Sequence, residues 1–364
     1  MPSYETKVAL LLPAENLGIE MPSTNLGNRM ICEATRRIIE RLPVHFKPEE
    51  FTFLRKPNGE ELDRINACDR AIFVGTNIFQ PQAVGWRWRA QDLGQIKIPY
   101  SLYGVGYSGP LGRVPLRICR ETRDLVEWSR GGSSIGVRDP QTVRWLKLFG
   151  VNSELVGCPV LAYPDTFTDI SIGKNTPVLA IREILLHNPG EGPKQAQQDL
   201  IDWFFEKYPD GRSVVQSPED LKLVHDRPIV ATFEEIIREL SRARFVVSTR
   251  LHAGMLALAF GRPVVFLAHD TRVASFCEMI GVKAYPLTSE GLRKALKAAQ
   301  KIDRGDLSEL KPAVERVRLL VRRLHEFLNE EITGSRENMM RHPSRALTAL
   351  RRARARLLEW GPES

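Results

Sequence analysis

The sequence predicts an α/β protein with two doubly wound, Rossmann-like domains. Short apolar runs typical of buried parallel strands alternate with amphipathic helical segments in both halves of the 364-residue chain, a length that fits two domains. Turn residues and weak periodicity indicate a linker over residues 161–176. We therefore expect an N-terminal domain over 1–160, a C-terminal domain over 177–305 and a helical extension over 306–364.

Charge and cysteine content narrow the classes of function. The formal net charge is +8, which favours an acidic polymer, an anionic membrane surface or nucleic acid as a partner. Aromatic residues are not interleaved with basic ones as they are in RNA-binding sheets, so we expect no nucleic acid. The five cysteines are scattered and never spaced as CxxC, which indicates free thiols in a reducing cytosol and no metal site.

The N-terminal half begins with a predicted strand over 7–14, a loop and a helix over 29–41. Asn25, Gly27 and Asn28 lie in the loop, where asparagine and glycine suit a turn with positive φ. The remaining predicted strands of this half cover residues 70–76, 99–106, 134–137 and 152–156, and the helices cover 114–130 and 140–149.

The C-terminal half repeats the alternation of strands and helices. Its predicted strands cover residues 177–181, 213–216, 245–248, 264–268 and 284–287, and its helices cover 194–207, 232–242, 272–280 and 289–301. Arg182 follows the first of these strands, as Arg138 follows a strand of the other half. The carboxyl ends of parallel strands face the ligand crevice of an open sheet, so both arginines are candidates for binding. The alternatives are local ion pairs with Glu183 and Asp139.

A β-α-β unit over residues 245–270 carries the clearest chemical signal. Ser248 and Thr249 can cap the helix, which ends at Gly261, a residue typical of the position after a helix. Arg250 and His252 lie beside the unpaired amides and the positive dipole end of this helix, a combination that suits phosphate or carboxylate. A surface salt bridge and a packed histidine are the alternatives.

Residues 248–265, STRLHAGMLALAFGRPVV, together with 270–273, DTRV, resemble the C-terminal signature of the polysaccharide pyruvyl transferase family. The resemblance covers most of residues 7–290. It implies a two-domain fold like that of the GT-B glycosyltransferases, with the acceptor on the N-terminal side of a cleft and the donor on the C-terminal side. It also implies transfer of the pyruvyl group of phosphoenolpyruvate to sugar hydroxyls, usually as a ketal, with no cofactor beyond phosphoenolpyruvate as co-substrate.

The resemblance assigns roles to the residues already singled out. Phosphoenolpyruvate carries a phosphate and a carboxylate, and the planar fork of arginine pairs bidentately with either. Arg250 and His252 are the catalytic candidates, with His252 donating a proton to the leaving phosphate or holding it as an imidazolium. The expected substrate-binding residues are Arg182, Arg272, Arg138, Thr249, Asn25, Gly27 and Asn28. Asp139 and Asp270 are candidates for the base that deprotonates the sugar hydroxyl.

Two segments depart from the family pattern. Gly75-Thr76-Asn77 keeps one glycine where the family commonly has a glycine-rich run. Cys158 stands where members usually have an aspartate, and a thiol cannot replace a carboxylate at neutral pH. These departures leave open a nucleotide-sugar glycosyltransferase of the same architecture and a non-catalytic binding protein.

The end of the chain is helical and polar. We expect one amphipathic helix over 307–332 and a basic one over 344–360. The basic helix either lies on an anionic membrane surface, where it would meet a lipid-linked sugar acceptor, or crosses back over the first domain in solvent. No apolar run reaches the roughly 18 residues that span a bilayer, and no signal peptide precedes the first strand, so we expect a cytoplasmic protein at or near the inner membrane face. A homo-oligomer is compatible with the sequence.

Overall fold

The computed structural model describes residues 6–13, 25–81, 87–109, 111, 117–183, 191–224 and 226–334. These residues form two parallel β-sheets flanked by helices, one sheet in each half of the chain. The predicted α/β fold class is therefore confirmed. The basic helix expected over 344–360 lies outside the described residues.

The N-terminal sheet has seven strands in the order β2-β1-β3-β5-β6-β7, with β4 paired to β5. The strands are β1 (Thr6–Leu12), β2 (Phe46–Thr52), β3 (Arg70–Val74), β4 (Asn77–Phe79), β5 (Tyr100–Tyr107), β6 (Ser134–Val137) and β7 (Glu154–Leu155). The helices of this half are α1 (Leu26–Glu40), α2 (Gly59–Asn66), α3 (Ala90–Leu93), α4 (Arg120–Ser129) and α5 (Pro140–Leu148).

The C-terminal sheet has six strands in the order β10-β9-β8-β11-β12-β13. The strands are β8 (Val178–Ala180), β9 (Arg212–Val214), β10 (Ile229–Val230), β11 (Val246–Ser248), β12 (Val264–Ala268) and β13 (Ala284–Pro286). The helices that follow β8 are α6 (Glu191–Lys207), α7 (Pro218–Val224), α8 (Phe233–Arg242), α9 (Leu251–Ala259), α10 (Thr271–Ile280), α11 (Ser289–Asp303) and α12 (Lys311–Thr333).

Each sheet has one point at which the strand order reverses, between β1 and β3 in the first and between β8 and β11 in the second. Ligands of open α/β sheets bind outside the carboxyl ends of the strands at such points. Ala180 of β8 pairs in register with Ser248 of β11. Arg182 and Arg250 both lie two residues beyond these partners, which places them side by side at the reversal point.

The last helix of the described residues, α12, packs on the N-terminal sheet although it follows the C-terminal one. The Tyr103 hydroxyl donates a hydrogen bond of 3.2 Å to the Leu324 carbonyl, and the Tyr103 and Phe327 rings stack. The Glu331 carboxylate accepts hydrogen bonds from Ser101 and Ser134. A buried apolar core shared by both halves contains side chains of α1, α9, α12 and the 3-10 turn Pro159–Ala162. The helix therefore ties the two sheets together.

Several element boundaries differ from those that periodicity predicts. Helix α1 begins at Leu26 rather than 29, because the Asn25 side chain caps it, and α4 begins at Arg120 rather than 114. A 3-10 turn over Ser308–Leu310 precedes α12, so residues 307–332 are not one continuous helix. Within the described part of the chain, no helix is both long and apolar enough to cross a bilayer.

Candidate functional site

Arg250 is the N-cap residue of α9, and no side chain caps this helix. The expectation that Ser248 or Thr249 caps α9 is therefore wrong. The Ser248 hydroxyl instead accepts from the Arg250 amide at 3.2 Å and donates to the Arg250 carbonyl at 2.7 Å. Thr249 accepts from the Arg182 amide at 2.8 Å, so its fully buried hydroxyl positions Arg182 within the protein.

The Arg250 guanidinium is held in place by residues of the C-terminal half. Its Nη2 donates to the Asp220 carboxylate and, at 2.7 Å, to the Ser217 hydroxyl, and its Nε donates to the Ile181 carbonyl at 3.3 Å. Asp220 is fully buried, and it also accepts the amides of Gln216 and Ser217 on one oxygen. This network fixes the direction in which Arg250 points.

Arg182 and Arg272 share the buried carboxylate of Asp270. Arg272 Nε donates to Asp270 Oδ2 at 2.7 Å, and Arg182 Nη1 lies 3.6 Å from the same oxygen. Burial alone would raise the pKa of Asp270, but His269, Arg182 and Arg138 outweigh it and hold this pKa below its ordinary value. Asp270 also caps α10 by accepting the Arg272 amide. A carboxylate engaged in this way is a weak base, which argues against Asp270 as the group that deprotonates the sugar hydroxyl.

Arg138 enters the same region from the N-terminal half. It is 1% exposed, and its guanidinium contacts the Asn77 side chain and, at 3.4 Å, Asp139. Its Nη1 has no hydrogen-bond partner among the described residues. A Cβ at Gly106 would lie 2.3 Å from Arg138 Nε, so only glycine leaves room for this side chain. A buried nitrogen of a cation without a partner favours an anionic ligand.

Asp139 and Cys158 are two neighbours of Arg138 whose roles the sequence leaves open. Asp139 caps α5 by accepting the Thr142 amide at 2.9 Å, and it accepts from the Ser275 hydroxyl at 2.9 Å. These bonds give Asp139 a structural role, and its expected role as a base stays a prediction. Burial raises the pKa of Cys158 to about 11, so its thiol is neutral and adds no negative charge beside Arg138.

His252 is a buried residue in the first turn of α9, two positions after Arg250. Burial and the charges of Arg138, Arg250 and Arg182 lower its pKa to about 3, so the ligand-free histidine is neutral at pH 7. The expected imidazolium is therefore absent before a ligand binds. His252 Nε2 has no hydrogen-bond partner among the described residues.

The first turn of α1 contacts His252 from the other half. A Cβ at Gly27 would lie 2.5 Å from His252 Nδ1. The Asn25 side chain accepts the Gly27 amide at 3.0 Å and caps α1, whereas Asn28 accepts from the Thr76 hydroxyl at 3.2 Å. Gly27 is thus adjacent to the cluster. Gly27 and Asn28 belong to α1, and none of Asn25, Gly27 and Asn28 has a positive φ, so the expected turn with positive φ is wrong.

The predicted site residues therefore converge from both halves. Four guanidinium groups and three carboxylates meet where α1 and α9 begin, and the excess positive charge suits an anion. The charged groups are Arg138, Arg182, Arg250, Arg272, Asp139, Asp220 and Asp270. Among the described residues, no group of three or more His, Cys, Asp or Glu side chains is arranged to hold a metal ion.

Sequence reasoning missed Asp220, Ser217 and His269. Asp220 lies in the first turn of α7, where an acidic residue after Ser217 is an ordinary helix-start signal and gives no hint of Arg250. His269 directly precedes Asp270. Its position at the carboxyl end of β12 is the sequence feature that could have identified it as a site residue. Its side chain is 1% exposed, and its Nε2 lies 3.2 Å from Asp270 Oδ2.

Solved structures with the same fold share little sequence with this chain. An S. aureus MnaA structure with UDP superimposes with a TM-score of 0.51 at 10% identity, covering 89% of this chain and 97% of that one. A putative UDP-N-acetylglucosamine 2-epimerase from Listeria monocytogenes gives a TM-score of 0.51 at 13% identity, covering 91% and 98%. These structural similarities show that the chain has a GT-B-like fold, and they show nothing about its substrate or activity. A comparison with curated protein sequences gives no match.

Similarity in sequence, rather than in structure, shows the family to which this chain belongs. The model of the polysaccharide pyruvyl transferase family matches residues 25–271, which is more than half of the chain, and the chain belongs to this family. The match includes Asn25 at the start of α1, Arg138, Arg182, Arg250 and His252. The protein is accordingly a transferase of polysaccharide biosynthesis.

Proposed function

We propose that this protein transfers the pyruvyl group of phosphoenolpyruvate to hydroxyl groups of a sugar, in a polysaccharide or its precursor, and forms a ketal. The observation that carries the proposal is the convergence of Arg138, Arg182 and Arg250 from both halves on His252. Phosphoenolpyruvate combines a phosphate and a carboxylate on one small enol, and this density of negative charge matches the cluster.

The donor would lie between the two sheets. Arg182 and Arg250 stand at the reversal point of the C-terminal sheet, and Arg138 faces them with an unpartnered Nη1. An anion at this position would satisfy Arg138 and relieve the repulsion among the three guanidinium groups. Arg272 is already paired with Asp270, so we assign it to the support of Arg182 rather than to direct donor contact.

His252 would act on the phosphate. The bound donor adds negative charge beside the ring, which raises the pKa of His252 from its ligand-free value of about 3. Its unpartnered Nε2 is then available to exchange a proton with the substrates. Acid–base catalysis by a positioned histidine typically contributes roughly 10²–10⁴-fold to a rate.

The acceptor in this proposal is a sugar, a glycan or a lipid- or nucleotide-linked sugar. The family acts on polysaccharides, and two solved structures with the same fold are described with UDP or as a UDP-sugar epimerase. An acceptor on the cytoplasmic face of a membrane fits the proposal. We assign the acceptor to the N-terminal side of the cleft, next to Gly27 and the carboxyl end of β5.

Thermal melting with phosphoenolpyruvate, UDP and GDP tests the donor. Ligand at about 100 times its dissociation constant stabilises a protein by roughly 2.7 kcal/mol, which raises Tm by a few degrees. The test variant is Arg250→Lys, because it keeps a positive charge beside Asp220 but loses the bidentate fork. Arg70→Lys is the matched control, since Arg70 is a buried arginine paired with Glu331 at the opposite, amino end of β3.

We expect phosphoenolpyruvate to raise Tm in the wild type and in Arg70→Lys, and to raise it clearly less in Arg250→Lys. A rise with UDP or GDP alone would instead indicate a nucleotide-sugar glycosyltransferase. No rise with any of the three ligands would contradict the donor assignment and favour a non-catalytic binding protein.

A further inference from the structure

Asn77 contacts Arg138 within the N-terminal half. Its side-chain oxygen accepts a hydrogen bond from Arg138 Nη2. Resting on the proposed function, we propose that Asn77 determines the specificity of the site for an anionic donor. Because the Asn77 amide is neutral, the outer end of the Arg138 guanidinium keeps its charge for the phosphate or carboxylate of phosphoenolpyruvate. A carboxylate in place of this amide would act as an internal anion and compete with the donor.

The sheet brings Asn77 and Arg138 together across strand β5. Asn77 of β4 pairs in register with Gly106 on one side of β5, and β6, which precedes Arg138, pairs with β5 on the other side. The Arg138 amide donates to the Val105 carbonyl at 2.9 Å. A Cβ at Gly106 would lie 2.3 Å from Arg138 Nε. The glycine therefore leaves the path along which the Arg138 side chain reaches Asn77.

The other arginines of the cluster contact carboxylates with the outer ends of their guanidinium groups. Arg250 Nη2 donates to Asp220. Arg272 Nη2 donates to Asp270 Oδ2, and Arg182 Nη1 lies 3.6 Å from the same oxygen. The protein therefore compensates part of the charge at these three guanidinium ends before a ligand binds.

The outer end of Arg138 has different partners. Asp139 contacts the Nε of Arg138 at 3.4 Å, and it accepts three hydrogen bonds of 2.9–3.0 Å from Thr142 and Ser275. Nη2 contacts the neutral amide of Asn77, and Nη1 has no hydrogen-bond partner among the described residues. The Arg138 side chain is also almost wholly buried, so solvent compensates little of its charge. A buried cation in these surroundings attracts an anionic ligand.

Asn77→Asp isolates the effect of charge at this position. The substitution keeps the size of the side chain and an oxygen that accepts from Arg138 Nη2, but it adds one negative charge. This charge pairs with the guanidinium and repels a donor that carries both a phosphate and a carboxylate. A like charge within several Å weakens the binding of an anion by roughly tenfold to a hundredfold.

The test compares the affinity for phosphoenolpyruvate with the stability of the ligand-free protein. Calorimetric titration gives the Kd, and thermal melting without ligand gives the Tm, for the wild type and three variants of the full chain. Asn77→Asp adds the charge, and Asn77→Ser shortens the side chain without adding charge. Asn66→Asp is the matched control. The Asn66 side-chain oxygen accepts the Lys97 amide at 2.7 Å near the opposite, amino end of β5, so the same charge is added far from Arg138.

We expect Asn77→Asp to lose roughly tenfold to a hundredfold in affinity, Asn77→Ser to lose less, and the control to bind as the wild type does. The ligand-free Tm of Asn77→Asp should be no lower than that of the wild type, because the buried guanidinium gains a carboxylate partner.

Two results would show that the shape of Asn77 matters rather than its neutrality, and each would overturn the proposal. One is an equal loss of affinity in Asn77→Ser, and the other is a lowered ligand-free Tm in Asn77→Asp. Wild-type affinity in Asn77→Asp would overturn the role of Asn77 and leave the donor assignment intact. Failure of the wild type to bind phosphoenolpyruvate would overturn both.

Discussion

Gly27 gives His252 the space in which its ring lies. The glycine belongs to the first turn of α1 in the N-terminal half, and a side chain there would come within 2.5 Å of His252 Nδ1. That separation is well inside van der Waals contact, so the ring would have to move. The contact places the start of α1 directly beside a catalytic candidate of the other half.

We predict that Gly27→Ala weakens phosphoenolpyruvate binding without unfolding the protein. The new methyl group displaces His252 from the arginines, whereas alanine itself favours the helix by up to about 1 kcal/mol over glycine. The measurement is the shift in Tm with phosphoenolpyruvate. Gly59→Ala is the control, since Gly59 also lies in the first turn of a helix but its Cβ would contact nothing within 4 Å. An unchanged ligand-induced shift in Gly27→Ala would contradict the steric role.

At the scale of single residues, the sequence predicts which arginines line the site but not which carboxylate fixes their orientation. Arg138, Arg182 and Arg250 are recognisable because each follows an apolar strand, and the structure brings them together. Asp220 is not recognisable, because it lies thirty positions from Arg250 in the chain and resembles a normal helix-start residue. Contacts between distant positions depend on the packing of the sheet, which local pattern does not reveal.

Helices α5 and α10 form the polar contact between the two halves beside the site. The Ser275 hydroxyl of α10 donates to Asp139 at 2.9 Å and accepts the Gln141 amide at 2.9 Å. The Thr271 amide donates to the Gly109 carbonyl at 3.2 Å, and Arg144 pairs with Glu278 at 2.8 Å. The contact joins Asp139, the residue next to Arg138, to helix α10, which begins directly after Asp270.

We predict that Ser275→Ala destabilises the protein by about 1–3 kcal/mol, because the buried Asp139 carboxylate loses a donor and the part-buried Gln141 amide loses its acceptor. Amide hydrogen exchange of α5 and α10 should accelerate more than that of α11, and urea denaturation gives the free energy of unfolding. Ser241→Ala is the control: Ser241 is on the protein surface and bonds only to a carbonyl of its own helix, so we expect a change within about 0.5 kcal/mol. Equal effects of the two substitutions would exclude a special role for Ser275.

Periodicity predicts the buried elements well and the exposed ones poorly. Strand β12 agrees with its predicted bounds, because Val264–Ala268 is wholly apolar between two turn residues. Strand β2 and helix α2 were not predicted. Residues Phe46–Thr52 contain proline and two glutamates and form an edge strand of the sheet. An edge strand pairs with a neighbouring strand on one side only and tolerates proline and charged side chains, so it need not show an apolar pattern.

The arrangement of the whole molecule depends on long-range packing. The reversal points of the two sheets supply Arg182 and Arg250 on one side and the start of α1 on the other, and α12 binds the C-terminal half to the N-terminal sheet. The alternation of strands and helices predicts two doubly wound sheets. It does not predict that α12 returns to the first sheet, because its apolar stripe fits many surfaces equally well.

The central claim is that both halves bind one anionic donor. Isothermal titration calorimetry with phosphoenolpyruvate tests it on the wild type, Arg138→Lys, Arg250→Lys and the control Arg70→Lys. Charge-assisted hydrogen bonds contribute roughly 1.5–3 kcal/mol, so we predict a loss of roughly tenfold to a hundredfold in affinity for each of the first two variants and wild-type affinity for the control. Wild-type affinity in Arg138→Lys, with loss only in Arg250→Lys, would contradict a donor site shared by the two halves.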